Sequence, residues 1–434
     1  MTATDTHQTD IHKSIDAVWR IESARIIAGL ARIVRDVGIA EELAQDSLVA
    51  ALQQWPESGI PNNPGAWLMA TGKHRAIDYL RRNKRLEQKH EIIGRELEER
   101  QDAAAEEIEN AMDDDVGDDL LRLIFTACHP VLSAEARAAL TLRLLGGLTT
   151  DEIARAFLTR EATIAQRIVR AKRTLAEAEV PFEVPRGAEF TARLSSVLGV
   201  IYLIFNEGYT ATAGDDWMRP ELCHDALRLG RILAELTPNE SEVHGLVALM
   251  EIQASRLGAR AGASGEPILL FDQNRALWDH LLIHRGFTAL ARAQRTAESP
   301  FLQSVGPYAL QAAIAACHAR AHTAAETDWA RIVELYGMLA EVAPSPIVEL
   351  NRAVAVGMAS GPQAALEIVD ELREEPAMQN YHLLWSVRGD LLVKLGRNEE
   401  ARGEFERAGS LTENAREREL MLARAYNCGG DAND

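Results

Sequence analysis

Gly65–Arg85 reads GAWLMATGKHRAIDYLRRNKR. On a helical wheel Trp67, Met69, Ala70, Ala76, Ile77 and Leu80 gather on one side, and Thr71, Arg75, Asp78, Tyr79 and Arg82 on the other. The spacing predicts an amphipathic helix with a cationic outer face and Trp67 in its core. After Leu80 the apolar side ends. Arg81, Arg82, Lys84 and Arg85 must project past the core that the first half docks against, as suits a phosphate backbone. A solvated helix end with surface cations would give the same pattern, so the neighbouring segments decide.

The chain has 434 residues, too many for one ordinary core. Aromatics are only 5% beside 47% hydrophobic residues, and Ala, Leu, Arg and Glu abound, so an all-α, multidomain protein is expected. The longest apolar run, Val197–Phe205, is far short of the roughly 20 residues of a membrane span, and the first residues lack a hydrophobic signal region. A soluble, cytoplasmic chain without membrane contact is expected. Four cysteines make no disulfide framework. Cys128, Cys223 and Cys317 each precede a histidine, but neighbours on a helix point apart and no CxxC accompanies them, so buried structural cysteine is expected, with no metal or cofactor.

The net charge of −19 is segregated along the chain. Lys73–Lys89 carries seven Lys or Arg against Asp78 and Glu87, whereas Glu91–Asp119 carries thirteen acids against Arg95 and Arg100. The acidic segment has too few large apolar residues to bury and is expected to be a linker over 91–117. Before the basic helix, Ile11–Gln54 reads as helices, with Gly38 as a stop and a second helix starting near Glu41. Glu41, Glu42 and Asp46 form an acidic edge in its first half, fit either for helix capping or for docking a basic partner. The turn-rich loop Pro56–Pro64 presents Asn62 and Asn63 where the basic helix begins, with Pro64 in its first turn.

Beyond the linker, 118–180 reads as a second helical unit. Asp119–Ala127 and Ala134–Leu144 form a pair, and LTTDEIARAFLTREATIAQRIVRAKRTL has the layout of a helix-turn-helix. Thr149 with Glu152 forms a capping box and Thr159 is expected to cap the last helix. On that helix Ile164, Ile168, Ala171 and Leu175 make a buried stripe. The opposite side shows Ala162, Gln166, Arg170 and Arg173, flanked by Thr163 and Arg167, as a major-groove helix requires.

After Pro181 and Pro185 helices follow one another to the end. Counting from His382, Trp385, Gly389, Gly396, Ala401, Phe405 and Ala408 fall at the packing positions of a 34-residue tetratricopeptide unit. Ile347–Leu372 is a degenerate version and Trp329–Val342 another repeat helix, so an α-solenoid over 186–428 is expected.

Together these segments resemble the extracytoplasmic-function group of bacterial RNA polymerase sigma factors, in the subgroup with a tetratricopeptide-like C-terminal extension. The resemblance implies two small helical sigma domains, 11–90 and 118–180, joined by the acidic linker and followed by the extension. It implies that Glu42 and Asp46 bind core RNA polymerase. It assigns Asn62, Asn63, Thr71, Arg75, Tyr79, Arg81, Arg82, Lys84 and Arg85 to the minus-ten promoter element, and Ala162, Thr163, Gln166, Arg167, Arg170 and Arg173 to the minus-thirty-five element. The subgroup rests on IYLIFNEGYTAT, with Asn206, Glu207, Gly208 and Tyr209, and on DQNRALWDH, with Asp272, Arg275, Trp278 and Asp279. Neither motif discloses a chemistry by spacing. Asp272 is expected as a helix cap and Trp278 as core. The implied role is a non-enzymatic initiation factor whose partners are core polymerase and promoter DNA, with a regulatory protein or ligand on the extension. The competing reading is a helix-turn-helix regulator with a repeat sensor domain, which does not need the helices before Pro56. The linker acids are expected to mimic a polyanion in the channel that nascent RNA later fills.

Overall fold

The computed structural model describes the backbone of residues 3–90, 116–157, 159–262, 265–297 and 305–428, and the side chains of these stretches except 3–10, 84–90, 116, 296 and 297. Helix α1 (Ala3–Val34) buries Ile15, Ile26, Ile27 and Leu30. It stops because Arg35 turns left-handed at φ 55°. The carboxylate of Asp36 then accepts the amides of Gly38 (2.7 Å) and Ile39 (2.9 Å), so α2 (Val37–Ser58) starts at once. Gly38 is therefore in the first turn of α2 and not a stop, and α2 begins before Glu41, because an aspartate cap outweighs a single helical glycine. Asn63 caps α3 (Pro64–His90), its Oδ1 accepting the Ala66 amide at 3.1 Å, with Pro64 in the first turn as expected.

The three helices pack through small residues. Gly72 of α3 lies where a Cβ would come within 2.9 Å of Leu30 and 3.1 Å of the Ser47 hydroxyl, so glycine alone allows this approach. The buried stripe of α3 is consequently Leu68, Gly72 and Ala76, one row round from the expected face. Ala70 is exposed and Trp67 only half-buried, its ring edge-on to the buried Trp55 at 5.3 Å.

Residues 91–115 of the acidic segment lie outside the described residues, and with them the expectation about its channel. The chain resumes in α4 (Val116–Ala127), α5 (Ala134–Leu144), α6 (Thr150–Ala156) and α7 (Glu161–Glu177). Thr149 and Glu152 form the expected capping box, each side chain accepting the other residue's amide (3.2 and 2.8 Å). Thr159 does not cap α7. Its amide folds back to Ala154, and Arg160 precedes α7 without a side-chain cap. Ile164, Ile168, Ala171 and Leu175 are buried as expected.

Helix α8 (Ala188–Tyr209) begins in this first compact unit, Met1–Ile201, and ends in the second, Tyr202–Asp434. Its first half belongs with α4: Arg193 donates to the Phe125 carbonyl (2.8 Å) and Ser196 to that of Cys128 (2.9 Å). α8 is long and apolar enough to cross a membrane by composition, yet Val197, Leu198, Val200, Ile201, Ile204 and Phe205 are buried in the fold.

The second unit is a succession of helices, each packed on the next: α9 (Pro220–Leu236), α10 (Ser241–Ala254), α11 (His280–Ala297), α12 (Pro307–Arg320), α13 (Trp329–Val342), α14 (Pro346–Ser360), α15 (Pro362–Leu372), α16 (His382–Lys394), α17 (Asn398–Leu411) and α18 (Ala415–Cys428). Trp385, Gly389, Ala401, Phe405 and Ala408 are buried together, and Gly396 supplies a left-handed turn at φ 74°. Gly389 faces the Phe405 ring, which a Cβ would approach to 2.7 Å.

Two short strands join the ends of this unit. β1 (Ala213–Gly214) pairs in parallel with β2 (Glu413–Asn414). Asn414 is fully buried. Its Nδ2 donates to the carbonyls of Ala211 (3.1 Å) and Asp216 (2.9 Å), while its Oδ1 accepts the amides of Arg416 and Glu417 that open α18. One asparagine thus caps the last helix and ties it to the start of the unit.

Candidate nucleic-acid interface

On α2 the expected acidic edge divides. Glu42 and Asp46 are exposed, with Val49 a turn further along the same face. Glu41 is instead 3% exposed. Its Oε1 accepts from Arg143 Nε at 2.6 Å and from Gln45 at 2.7 Å, and its Oε2 pairs with Lys172. The sequence could not separate these carboxylates, because their partners come from α5 and α7, over a hundred residues away.

Around α3, Asn62 and Asn63 are exposed, the latter as the cap. Thr71 is half-buried and donates to the Trp67 carbonyl (2.9 Å). Arg75 is half-buried and ion-paired with Asp46 at 3.1 Å. Tyr79 is half-buried, and Arg81 and Arg82 are exposed. The side chains of Lys84 and Arg85 lie outside the described residues. The face opposite the Leu68–Gly72–Ala76 stripe is therefore cationic towards the end of the helix and partly engaged with α2 at its middle.

Helix α7 is more sharply divided. Opposite its buried stripe, Ala162, Thr163, Gln166, Arg170 and Arg173 are exposed and Arg167 is half-exposed. Thr163, Gln166, Arg167 and Arg170 line a groove with Val131 and Ser133 from the turn before α5. Arg173 pairs with Glu177 one turn on at 2.6 Å, and Val169, 64% exposed, stands on the outer side as an apolar contact that the wheel had not singled out. Polar and small side chains come early in the helix and cations late, the order in which a groove-reading helix meets base edges and then phosphates.

Residues 21–86 match the family described as Sigma-70 region 2, and residues 122–175 match Sigma-70, region 4. The chain carries sigma-70 regions 2 and 4. The first sigma-70 match runs from the middle of α1 to the basic turn of α3, and the second from the middle of α4 to the last buried residue of α7. Residues 193–294 match a family of unknown function, DUF6596. The chain is 42% identical over 392 residues to "Uncharacterized protein R00370" of Rhizobium meliloti (strain 1021), covering 90% of each. It is 28% identical over 158 residues to the "ECF RNA polymerase sigma factor SigK" of Mycobacterium ulcerans (strain Agy99), covering 35% of this chain and 78% of that one.

The motif residues beyond the sigma-70 regions have structural partners. Asn206 is exposed, and Glu207 accepts from Thr212 (2.9 Å) and pairs with Arg219. Gly208 lies where a Cβ would meet the Cys223 amide nitrogen at 2.7 Å. The Tyr209 hydroxyl accepts from Arg256. Asp272 is exposed and caps no helix; the cap of α11 is Asp279, whose Oδ1 accepts the amides of Leu281 (2.8 Å) and Leu282 (3.1 Å). Trp278 is core as expected, packed with Ala259 and Ile283, and Arg275 donates to the carbonyls of His318 and Ala321. Burial pushes the Cys128 thiol up to about 11 and that of Cys223 up to about 12, which suits packing and not reactivity.

Proposed function

We propose that this sigma-70 chain is an RNA polymerase sigma factor of the extracytoplasmic-function group, acting in the cytoplasm and regulated by its own C-terminal extension. The observation that carries the reading is that both sigma-70 regions occur in order in one chain, the second presenting a polar and cationic face on α7. A simple helix-turn-helix regulator has no use for the first. In this reading domains 11–90 and 118–180 bind core polymerase and promoter DNA, 91–117 links them, and 186–428 is the regulatory, tetratricopeptide-like extension.

The exposed Glu42 and Asp46 would dock core polymerase. The loop and helix from Asn62 to Arg85, with Thr71, Arg75, Tyr79, Arg81, Arg82 and Lys84, would hold the non-template strand, where unstacking a base costs a few kcal/mol that stacking and phosphate contacts offset. Ala162, Thr163, Gln166, Arg167, Arg170 and Arg173 would read the upstream element. The role needs no covalent chemistry from the chain. Co-purification with core polymerase tests the docking face: the full chain is retained, Glu42→Lys with Asp46→Lys is lost, and equal retention would reject that assignment.

A further inference from the structure

Three arginines of the second unit, Arg256, Arg260 and Arg275, are strung along two aromatic rings. The Arg260 guanidinium lies 3.6 Å from the Tyr209 ring centre and that of Arg256 5.7 Å from the same ring. Arg256 is also 5.9 Å from the Trp278 ring, and Arg275 is 4.6 Å from it. Among the described residues none of the three has a carboxylate at ion-pair distance. Other partly buried arginines of the unit do: Arg219 pairs with Glu207, Arg231 with Glu251, and Arg388 with Asp370 and Glu404. In a chain with 65 acids against 46 Lys and Arg, the omission is not for want of carboxylates. The acid that acts on Arg275 from a distance is Glu326, whose own carboxylate is held by the His322 amide.

The arginines are held by neutral acceptors that use few of their five N–H groups. Arg260 donates to the Tyr209 carbonyl and the Thr210 hydroxyl, both 2.9 Å, and to the Met218 sulfur; Arg275 donates through Nη1 alone. Arg256 Nε, Trp217 Nε1 and Trp278 Nε1 are buried without an acceptor. The site is thus short of both negative charge and acceptors. Arg260 is 8% exposed, while Arg256 and Arg275 are half-exposed, so the cluster runs from the core to solvent.

We propose that Arg256, Arg260 and Arg275 form a binding site for a small dianionic ligand bearing a phosphoryl group. Planar guanidinium forks match phosphoryl oxygens in geometry, three positive charges exceed what one carboxylate supplies, and the stranded N–H groups give further donors. This goes beyond promoter reading, and its test does not depend on transcription.

The test is calorimetric titration of the full chain with inorganic phosphate and, separately, with adenosine 5′-monophosphate, against chloride at matched ionic strength. Saturable binding of the first assigns the site to free phosphate, and of the second alone to a phosphoryl group on a larger molecule; either supports the site. Arg256→Gln weakens that binding about tenfold or more. Arg256→Lys, which keeps the charge but not the fork, also weakens it, and Arg231→Gln, outside the cluster, leaves it within about twofold. No saturable binding of either probe to the unaltered chain, or binding by both Arg256 variants equal to that of the unaltered chain, overturns the proposal.

Discussion

Glu41 of α2 accepts a 2.6 Å hydrogen bond from Arg143 of α5, so a carboxylate of the first sigma-70 region is buried against the second. Lys172 of α7 holds its other oxygen. Removing the carboxylate strands two cations that are each about one-fifth exposed. Glu41→Ala should therefore cost roughly 2–3 kcal/mol, below the 3–5 of a fully dry pair, as measured by urea unfolding. A loss no larger than that of an exposed ion pair would show that the contact does not hold the two regions together.

On the proposed reading, the face of α7 separates two kinds of contact. Arg170→Ala should weaken binding to all promoter fragments alike and lower the slope of affinity against salt by about one. Gln166→Ala should instead alter preference at one base position, by roughly 1–3 kcal/mol. Gel-shift titrations over a salt series and a set of upstream sequences distinguish them.

Gly389 has no room for a methyl group beside Phe405. Gly389→Ala should destabilise the second unit by roughly 1–3 kcal/mol, and Phe405→Ala, which empties the site, by roughly 3–5 kcal/mol. Thermal unfolding followed by circular dichroism reads both, and a neutral Gly389→Ala would mean that α16 and α17 lie further apart.

Burial, and then the charges of Arg256 and Arg275, lower the His318 imidazole from its ordinary 6.5 to about 4. It stays neutral in the fold while the unfolded chain takes up a proton, so its contribution to stability falls as pH drops from 6.5 towards 4 and is gone below that, with no further loss from this group. His318→Gln should remove this contribution, so the variant's melting temperature falls less than that of the unaltered chain over the interval. Parallel melting curves at pH 7 and pH 5 check the sign.

Much of this was legible in the sequence because it is written in local periodicity. The α7 stripe needed only spacings of three and four residues, the Thr149–Glu152 box only three, and the His382 unit only glycine and aromatic positions. Trp67 and Ala70 were harder, since glycine at position 72 lets α1 and α2 approach so closely that the buried row moves round the helix. The Asp36 cap lost to Gly38 for a related reason: a glycine reads as a stop unless the side chain that starts the next helix is seen. The partners of Glu41, and the meeting of Arg256 and Arg260 with Tyr209, were not legible, because these residues lie far apart along the chain and no periodicity brings them together.

Run-off transcription with purified core polymerase over a library of genomic fragments tests the sigma-factor assignment most directly. Core enzyme with the full chain should yield transcripts from a restricted set of fragments sharing two spaced elements, and Gln166→Ala should shift that set. Transcripts no different from those of core enzyme alone, from a chain that is folded, would contradict it.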